Sequence, residues 1–481
     1  MTSMKTITLT KYSKLTAGAI AVLILAGCAS VNFDEAVGNT NQATGSFTGG
    51  KLELIRNAEQ RDAKTMLAAD LLSKPLSSDG AVQIALANSP AVQTLLAQSW
   101  ADMSAANQAG RIANPIFNFE RVTFKDELEL GRILSFGLLD LLTLPRRQEI
   151  AQSRIAQSQV QLSSSVIEQV TQVRQAWVRA VTASQVLQYA QQINAAAQAS
   201  AELAKRMQQV GNFNKLQRAR QQVFYADSTA QLASAQHAAL ATREELVRQL
   251  GLTDVQAADM QLPDRLPDLP KDARPPSVVS STATDQRLDV QLARGQLDAA
   301  GKAQGLNLLT SLVDVELGII RSTTFDNAGG VGRAFAKRGF ELGIRLPIFD
   351  WGNARRDTMN ARSLAAANRY ESTVRSATSQ LREGYSAYRT AYDVARHYRD
   401  EVVPLRKTMA EENVLRYNGM MIGVFELLAD TRDQISSVVT AINAYQQFWL
   451  ADAALSASMT GKPTSMMMAA PQAAGGEKPG H

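Results

Sequence analysis

Side chains that commonly carry out chemistry in proteins are scarce in this chain of 481 residues. It contains one cysteine, Cys28, and three histidines, His237, His397 and His481, which lie far apart and lack the spacing of metal ligands. A lone cysteine cannot form an intramolecular disulfide, so stability must come from packing. Because no nucleophile is matched with a base, an enzyme is the weakest class of function, and neither a metal nor another cofactor is expected.

The position of Cys28 indicates a different chemistry, because the residues before it have the pattern of an export signal. Three lysines lead into the apolar stretch AGAIAVLILAG, which is too short for a membrane-spanning helix of about 20 residues. Ala26 and Gly27 precede the cysteine and resemble the lipobox of bacterial lipoproteins, in which the cysteine receives a lipid and the signal is removed. We therefore predict a signal peptide over residues 1–27 and a lipid on Cys28. The alternative is a soluble export signal with a chance cysteine.

The charge balance gives no reason to expect a nucleic-acid partner. The formal net charge is +5, but three of these charges are lysines of residues 1–27, so the rest of the chain carries only +2. Such a chain lacks the basic excess that phosphate backbones attract. We therefore predict no binding of nucleic acid.

The elements that must position any functional residue are long helices in two similar halves. The proline-rich segment LPDRLPDLPKDARPPS separates the halves, because no helix continues through such a sequence. Residues 147–210 contain neither glycine nor proline, and their apolar seam predicts a coiled-coil helix roughly 95 Å long. The second half repeats this pattern, and we interpret its tyrosines, Tyr385, Tyr388 and Tyr392, as seam packing and not as a ligand site.

Matched residues predict that the two halves arose by duplication. QVRQAWVRA from Gln172 aligns with QLREGYSAY from Gln380, and Gly251 aligns with Gly461, all at offsets of about 210 residues. The predicted organisation is a signal peptide (1–27), a lipidated N-terminal segment (28–75), a first repeat (76–262), a proline-rich linker (263–284), a second repeat (285–461) and a disordered tail (462–481).

Each half also contains a predicted β-hairpin before its long helix. In LVDVELGII, residues 312–320, apolar residues alternate with polar residues or glycine, and FELGIRL, residues 340–346, repeats the alternation. Residues 117–120 and 128–138 form a weaker copy. The sequence therefore predicts four strands per chain.

Alternation alone fits either a soluble sheet on a core or a membrane barrel. The export signal favours the membrane, where no open sheet edge is tolerated. The smallest barrels need about eight strands. If these four strands lie in a membrane, the chain must oligomerise.

Two motifs point to a known family. LPIFDWGNARR, residues 346–356, leads from the second hairpin through a proline into a long helix, and RYNGMMIGVFELLADTRDQ, residues 416–434, joins two helical runs. Together with the duplication they resemble the outer-membrane efflux (TolC-like) proteins of Gram-negative bacteria, specifically their lipoprotein branch. The resemblance implies a mainly α fold with a small β part. Duplicated long α-helical hairpins would form a periplasmic barrel, and four β-strands per chain would contribute to a trimeric 12-stranded outer-membrane β-barrel.

The same resemblance implies a function and partners. The chain would be the outer-membrane channel of a tripartite efflux pump, a passive duct for small molecules that extends into the periplasm. Glu341 and Arg345 would point into its lumen, and neighbouring apolar residues would face lipid. The implied partners are two further chains in a homotrimer, a periplasmic adaptor protein, an inner-membrane pump and outer-membrane lipid.

The resemblance also implies functional positions at the two helix-hairpin tips, where glycine lets each helix reverse. The implied adaptor contacts are Val210, Gly211, Asn212, Gly419, Met420, Met421 and Gly423. Glu426 and Asp430 match the acidic residues that close the periplasmic aperture in this family. Asp433 is the fallback, because the second tip is one residue longer than usual in the family. Arg432 and Arg218 are the candidates to hold these carboxylates, and the alternative interpretation is a solvated charged helix face.

Two other classes of function remain open. One is a type I secretion duct that exports polypeptides, and the other is a coiled-coil envelope lipoprotein without a channel. The second class explains the helices and Cys28 but leaves the alternating strand pairs unexplained.

Overall fold

The computed structural model describes residues 32–279, 286–310, 314–326, 332–345, 348–349 and 351–461. The predicted signal peptide, the lipidation site Cys28 and the tail residues 462–481 lie outside this range. So do Leu346, Pro347 and Asp350 of the first family motif. Predictions that concern these residues stay predictions.

The described residues form a mostly helical chain with four strands. From residue 32 to 279 the elements are α1 (Phe33–Thr48), α2 (Ala58–Leu72), α3 (Ser78–Asn88), α4 (Pro90–Ala109), β1 (Ile116–Phe124), β2 (Glu127–Gly137), α5 (Leu138–Gln209), α6 (Lys215–Leu250), α7 (Asp254–Asp259) and a 3₁₀ turn (Pro276–Val279). From residue 286 to 461 they are α8 (Leu288–Thr310), β3 (Asp314–Asp326), β4 (Arg333–Arg345), α9 (Asn353–His397), a π-helical turn (Tyr398–Val402), α10 (Val403–Asn418) and α11 (Val424–Thr460).

The chain divides into two compact units. The sheet unit contains the described residues up to 36 together with 99–158 and 298–363, and the helical unit contains 37–98, 159–297 and the described residues from 364 onward. None of the helices among the described residues combines the length and the apolar character needed to cross a membrane.

The sheet unit is built around one antiparallel sheet with the strand order β1-β2-β3-β4. The predicted pair of hairpins is therefore present, and the two hairpins are joined by pairing between β2 and β3. The sequence pattern predicted that Leu138 belongs to the strand, and this prediction was wrong. Leu138 instead begins α5, in which Asp140 Oδ1 and Arg147 Nη1, about two turns apart, form an ion pair of 2.7 Å.

The long helices also differ from prediction at two prolines. Helix α5 has 72 residues and includes Pro145, so it begins well before the proline-free run at residue 147. Pro145 is the eighth residue of α5 and has no N–H to donate to the Leu141 carbonyl, so the helix lacks one backbone hydrogen bond there. Farther along the chain, the π-helical turn lies just before Pro404, and its hydrogen bond runs from the Val403 N–H to the Tyr398 carbonyl. A π turn is a common way to absorb such a break in the helical ladder.

The tyrosine stripe of α9 lies in the core of the helical unit, as predicted. Tyr388 and Tyr392 are fully buried, and their rings lie 5.6 and 5.7 Å from that of Phe448. Each such side chain contributes roughly 1.5–3 kcal/mol by leaving water. The sequence did not show that the proline-rich segment covers this stripe. The Tyr392 hydroxyl donates to the Lys271 carbonyl at 2.8 Å, and the Tyr385 hydroxyl donates to the Arg274 carbonyl at 3.0 Å.

Two glycines that aligned in the sequence end equivalent helices in the same way. Gly251 follows α6 with φ 68°, and Gly461 follows α11 with φ 99°. A Cβ on Gly251 would lie 2.5 Å from Pro90 Cδ, and one on Gly461 would lie 2.4 Å from the Leu288 nitrogen. Each glycine therefore permits both a left-handed backbone and a close approach to the start of another helix.

Candidate functional site

The sheet has two faces of different chemistry. The pairing register assigns each residue to one face, because directly opposed residues project to the same side of a sheet. The apolar face carries Phe117, Phe119, Leu128, Leu130, Leu134, Phe136, Val315, Leu317, Ile319, Phe325, Ala334, Ala336, Phe340, Leu342 and Ile344, two threonines, Thr123 and Thr323, and four arginines, Arg121, Arg132, Arg321 and Arg338. The polar face carries Asn118, Glu120, Glu127, Glu129, Gly131, Ser135, Glu316, Gly318, Ser322, Thr324, Asp326, Arg333, Lys337, Glu341 and Gly343, with six apolar residues among them, Ile116, Val122, Phe124, Ile133, Ile320 and Phe335.

Burial along β3 differs between the two faces. Gly318 and Ser322, on the polar face, are buried, whereas Ile319 and Phe325, on the apolar face, are 53% and 38% exposed. A sheet with one polar and one apolar face has the arrangement needed to line water on one side and contact lipid on the other.

Three glutamates on the polar face each lie directly opposite a glycine. The pairs are Glu120 with Gly131, Glu341 with Gly318, and Glu316 with Gly343. A Cβ added to these glycines would lie 3.4 to 3.7 Å from the Cβ of the glutamate across from it. The glycines therefore leave space beside the carboxylates, which keeps them accessible to water.

The polar face has an excess of negative charge. Among its residues with described side chains, six are acidic and two, Arg333 and Lys337, are basic. Glu129 is held by contacts within the face, because it accepts a hydrogen bond from Ser322 Oγ and lies 3.8 Å from Lys337 Nζ. Glu341, which the sequence placed toward a lumen, is an exposed member of this face. The side chain of Arg345 is not described.

The two helix-hairpin tips of the helical unit have loops of equal length, residues 210–214 and 419–423. They also share the same C-terminal hydrogen-bond pattern. In the first tip the Gly211 and Asn212 N–H groups donate to the carbonyls of Gln208 and Met207, at 3.0 and 2.9 Å. In the second tip Met420 and Met421 donate to Tyr417 and Arg416, both at 2.9 Å. Both are Schellman motifs, which require one left-handed residue.

Glycine was predicted to make the chain reversal in both tips, and this prediction was wrong for the second tip. In the first tip it is Gly211, with φ 81°, as predicted, but in the second it is Met420, with φ 57°. Gly419 and Gly423 have φ −77° and −81°, which any residue adopts. The glycines flank the reversal and do not make it.

The two tips contact each other within the helical unit. The rings of Phe213, in the first tip, and Phe425, in the first turn of α11, lie 4.4 Å apart. Farther along α11, the Arg432 guanidinium lies 4.3 Å above the ring of Phe224 in α6. These contacts pack the start of α11 against the first hairpin.

The acidic residues predicted to form an aperture lie along the first three turns of α11. Glu426 is exposed in the first turn, where its charge is favourable to the helix dipole. Asp430 is half-buried and accepts a hydrogen bond from Asn413 Nδ2 of α10. Asp433 Oδ2 lies 3.8 Å from Arg406 Nη1, also of α10.

The arginines predicted to hold these carboxylates have other partners. Arg432 lies over Phe224, and Arg218 Nη1 donates to Gln208 Oε1 at 2.8 Å. Among the described residues, neither forms an ion pair with Glu426 or Asp430. Asp430 and Asp433 are held instead by Asn413 and Arg406 of α10. Helical periodicity could not predict these contacts, because the partners lie 17 and 27 residues apart in the chain.

Comparisons with known proteins agree with this architecture. Residues 279–410 match the sequence profile of a family described as outer membrane efflux protein. In structure the chain is similar to the CmeC outer membrane channel of Campylobacter jejuni, with a TM-score of 0.65 and 14% identity over 83% of this chain and 87% of that one. The chain has the fold of the outer membrane efflux proteins.

Two further structures of outer-membrane proteins extend the comparison. The outer membrane protein VceC of Vibrio cholerae gives a TM-score of 0.63 at 15% identity, over 83% of this chain and 96% of VceC. The MtrE outer membrane channel of Neisseria gonorrhoeae gives 0.59 at 19% identity, over 80% and 89%. No curated protein sequence matches the chain. The predicted resemblance to the efflux-protein family and the predicted fold class, mainly α with a small four-stranded β part, are confirmed.

Proposed function

We propose that the chain is the outer-membrane channel of a tripartite efflux system and acts as a passive duct for small molecules. The observation that carries this proposal is the four-stranded sheet, which is largely apolar on one face and rich in carboxylates on the other. In the described part of the chain, β1 and β4 each pair along one edge only. Lipid does not tolerate such open edges, so the sheet must be completed by other chains.

Three chains would close the sheet into 12 strands. Within one chain β1 and β4 run in opposite directions, so β4 of one chain can pair with β1 of the next in the antiparallel arrangement of the other strands. The polar faces would line the lumen and the apolar faces would contact acyl chains. Each chain would contribute a net negative charge to the lumen, and the duct would favour cations.

No chemical step is required of the channel. The long helical hairpins would continue the duct into the periplasm, and energy would come from an inner-membrane pump through a periplasmic adaptor. The adaptor would contact the exposed tips, Val210 to Asn212 and Gly419 to Gly423. Met420 and Met421 are 93% and 72% exposed there, and flexible methionines suit a protein contact.

The acidic residues of α11 would form the periplasmic aperture. In a trimer, three copies of Glu426 and Asp430 would approach the axis, where their like charges repel or bind cations. Asn413 would hold Asp430 in a fixed position through its hydrogen bond, so that the closed aperture depends on the packing of α10 against α11.

The lipid predicted on Cys28 would fix the start of the mature chain to the inner surface of the outer membrane. Replacing Cys28 with serine is expected to abolish incorporation of labelled palmitate; unchanged incorporation would exclude this attachment.

Planar-bilayer recordings of the purified, full-length protein test the function. We expect stable channels whose reversal potential in a salt gradient shows a preference for cations. Replacing Glu120, Glu316 and Glu341 with glutamine should lower this preference, because it removes three charges from the polar face while keeping the side-chain shape.

The matched control is Glu202→Gln, which removes one exposed carboxylate from α5 in the helical unit. It should leave the selectivity unchanged. Absence of any conductance in the wild-type protein would contradict the proposed function. Channels whose selectivity is the same in wild type and triple variant would contradict the assignment of the polar face to the lumen.

A further inference from the structure

The apolar face of the sheet contains a row of arginines. Arg132 on β2, Arg321 on β3 and Arg338 on β4 are directly opposed to one another in the pairing register. Arg121 on β1 lies on the same face, one row closer to the β1–β2 turn, opposite Leu130. We call the three opposed residues, Arg132, Arg321 and Arg338, the arginine row. They interrupt a largely apolar face at one level of the sheet.

The residues around the row change character from one side to the other. Toward the α5 end of the sheet the next rows contain Leu134, Ile319 and Phe340, and then Phe136, Leu317 and Leu342. Toward the hairpin turns the next row contains Arg121, Thr323 and Ala336 as well as Leu130. The row therefore lies where a strongly apolar band ends and a mixed surface begins.

The arginines have no anionic partner on their own face. Among the described residues this face carries no acidic side chain, and no hydrogen bond or ion pair involves the side chain of Arg121, Arg132, Arg321 or Arg338. The carboxylates of this sheet project from the opposite face. Arg321 and Arg338 are exposed. Like charges directly opposite each other in a sheet repel, so the row is incomplete without an anion.

We propose that the arginine row binds the phosphate groups of lipid headgroups in the membrane leaflet on the side of the hairpin turns. This inference rests on the proposed function, because it requires the apolar face to contact lipid. The guanidinium group forms paired hydrogen bonds with phosphate and is the side chain best suited to do so. The leucines and phenylalanines beside the row contact the acyl chains of the same lipids.

The depth of the row agrees with this occupant. Successive rows on one face are about 6.7 Å apart along a strand. Arginine on the lipid-facing side of a barrel is tolerated best near the interface and worst at the midplane. Near the α5 end of the strands, Leu142, Ile348 and Phe349 are also largely exposed. The row thus lies at one border of the band. In a trimer it would form a ring of nine arginines, with three copies of Arg121 just beyond it.

Retention of lipid by the purified trimer tests the inference. The full chain is purified in detergent, exchanged into micelles doped with either phosphatidylglycerol, neutral phosphatidylcholine or the carboxylate oleate, and washed. Bound lipid per trimer is then measured by mass spectrometry. We expect wild type to retain phosphatidylglycerol severalfold more than the other two lipids. The variant Arg132→Gln, Arg321→Gln, Arg338→Gln should lose this excess.

Two further variants separate lipid binding from folding. Replacement of the same three arginines with lysine keeps the charge but loses the paired hydrogen bonds, so an intermediate retention is expected. Arg333→Gln with Lys337→Gln removes two basic residues from the polar face and should retain lipid like wild type. If the triple glutamine variant does not form trimers, Arg338→Gln alone, at the edge strand, should still lower retention.

Three outcomes would overturn the inference: equal retention by wild type and the triple glutamine variant, full displacement of the lipid by inorganic phosphate alone, or a stoichiometric acidic protein that remains bound to the row in place of lipid. Conductance is recorded on the same samples. Trimers that conduct but show no preference for phosphatidylglycerol would contradict this inference only, whereas the absence of conducting trimers would contradict the proposed function.

Discussion

Met420 shows how a single residue stores backbone strain at a helix-hairpin tip. It adopts a left-handed backbone with φ 57° and exposes 93% of its surface, although the equivalent residue in the first tip is Gly211. A residue with a Cβ in this conformation costs on the order of 1 kcal/mol relative to glycine. The second tip therefore keeps its methionine at the expense of local stability, which fits a role in contact with another protein.

We predict that Met420→Gly slows backbone hydrogen exchange at residues 416–426, because it removes the strain and favours the Schellman motif. The expected gain in local opening free energy is about 1 kcal/mol. Gly211→Ala, the reciprocal change, should speed exchange around the first tip by a similar amount. If both variants exchange like wild type, the left-handed residues do not limit the stability of the tips.

At the scale of elements, the start of α11 is held by contacts from two other helices. Phe213 and Phe224 pack against Phe425 and Arg432, and Asn413 of α10 donates a hydrogen bond to Asp430. Movement of α11 away from α10 must break that hydrogen bond. The position of α11 would therefore set the width of the proposed aperture.

We predict that replacing both Glu426 and Asp430 with alanine raises the basal conductance of the purified channel severalfold. The change removes the carboxylates proposed to surround the axis and also frees α11 from Asn413. The matched control replaces Glu411 and Glu412, two exposed acidic residues of α10 near the same tip, with alanine. Conductance that stays at the wild-type level in the first variant, or rises equally in the control, would contradict the aperture assignment.

The sequence predicted elements better than the contacts between them. Strict alternation in residues 315–319 and 340–344 was enough to assign both faces of the second hairpin, because side-chain direction in a strand depends only on parity. Arg132 interrupts the weaker first copy, so its row with Arg321 and Arg338 emerged only from the register. The cover of the tyrosine stripe by Lys271 and Arg274 was also missed, since periodicity identifies a buried face but not its partner.

At the scale of the whole molecule, the charges of the sheet are separated between its faces. The face with the arginine row carries only positive charge among the described side chains, and the opposite face is predominantly acidic. One chain cannot use such a sheet in a membrane, because both edge strands are open. Lateral pairing with further copies would complete the sheet. It would place the acidic face toward a water-filled lumen and the face with the arginine row toward lipid.

Chemical cross-linking between edge strands tests this pairing most directly. In a Cys28→Ser background, Thr123→Cys on β1 and Ala336→Cys on β4 place thiols on the same face at opposite edges of the sheet. Within one chain these edges are separated by three strand spacings, about 14 Å, so a shorter bis-maleimide can join them only between chains. The control pair, Leu130→Cys with Thr323→Cys, is directly opposed within one chain.

In membranes, we predict that the edge pair yields covalent dimers and trimers on denaturing gels, because β1 of one chain lies beside β4 of the next. The control pair should remain monomeric after the same treatment. An edge pair that also remains monomeric would contradict the central claim that several copies of this chain share one barrel.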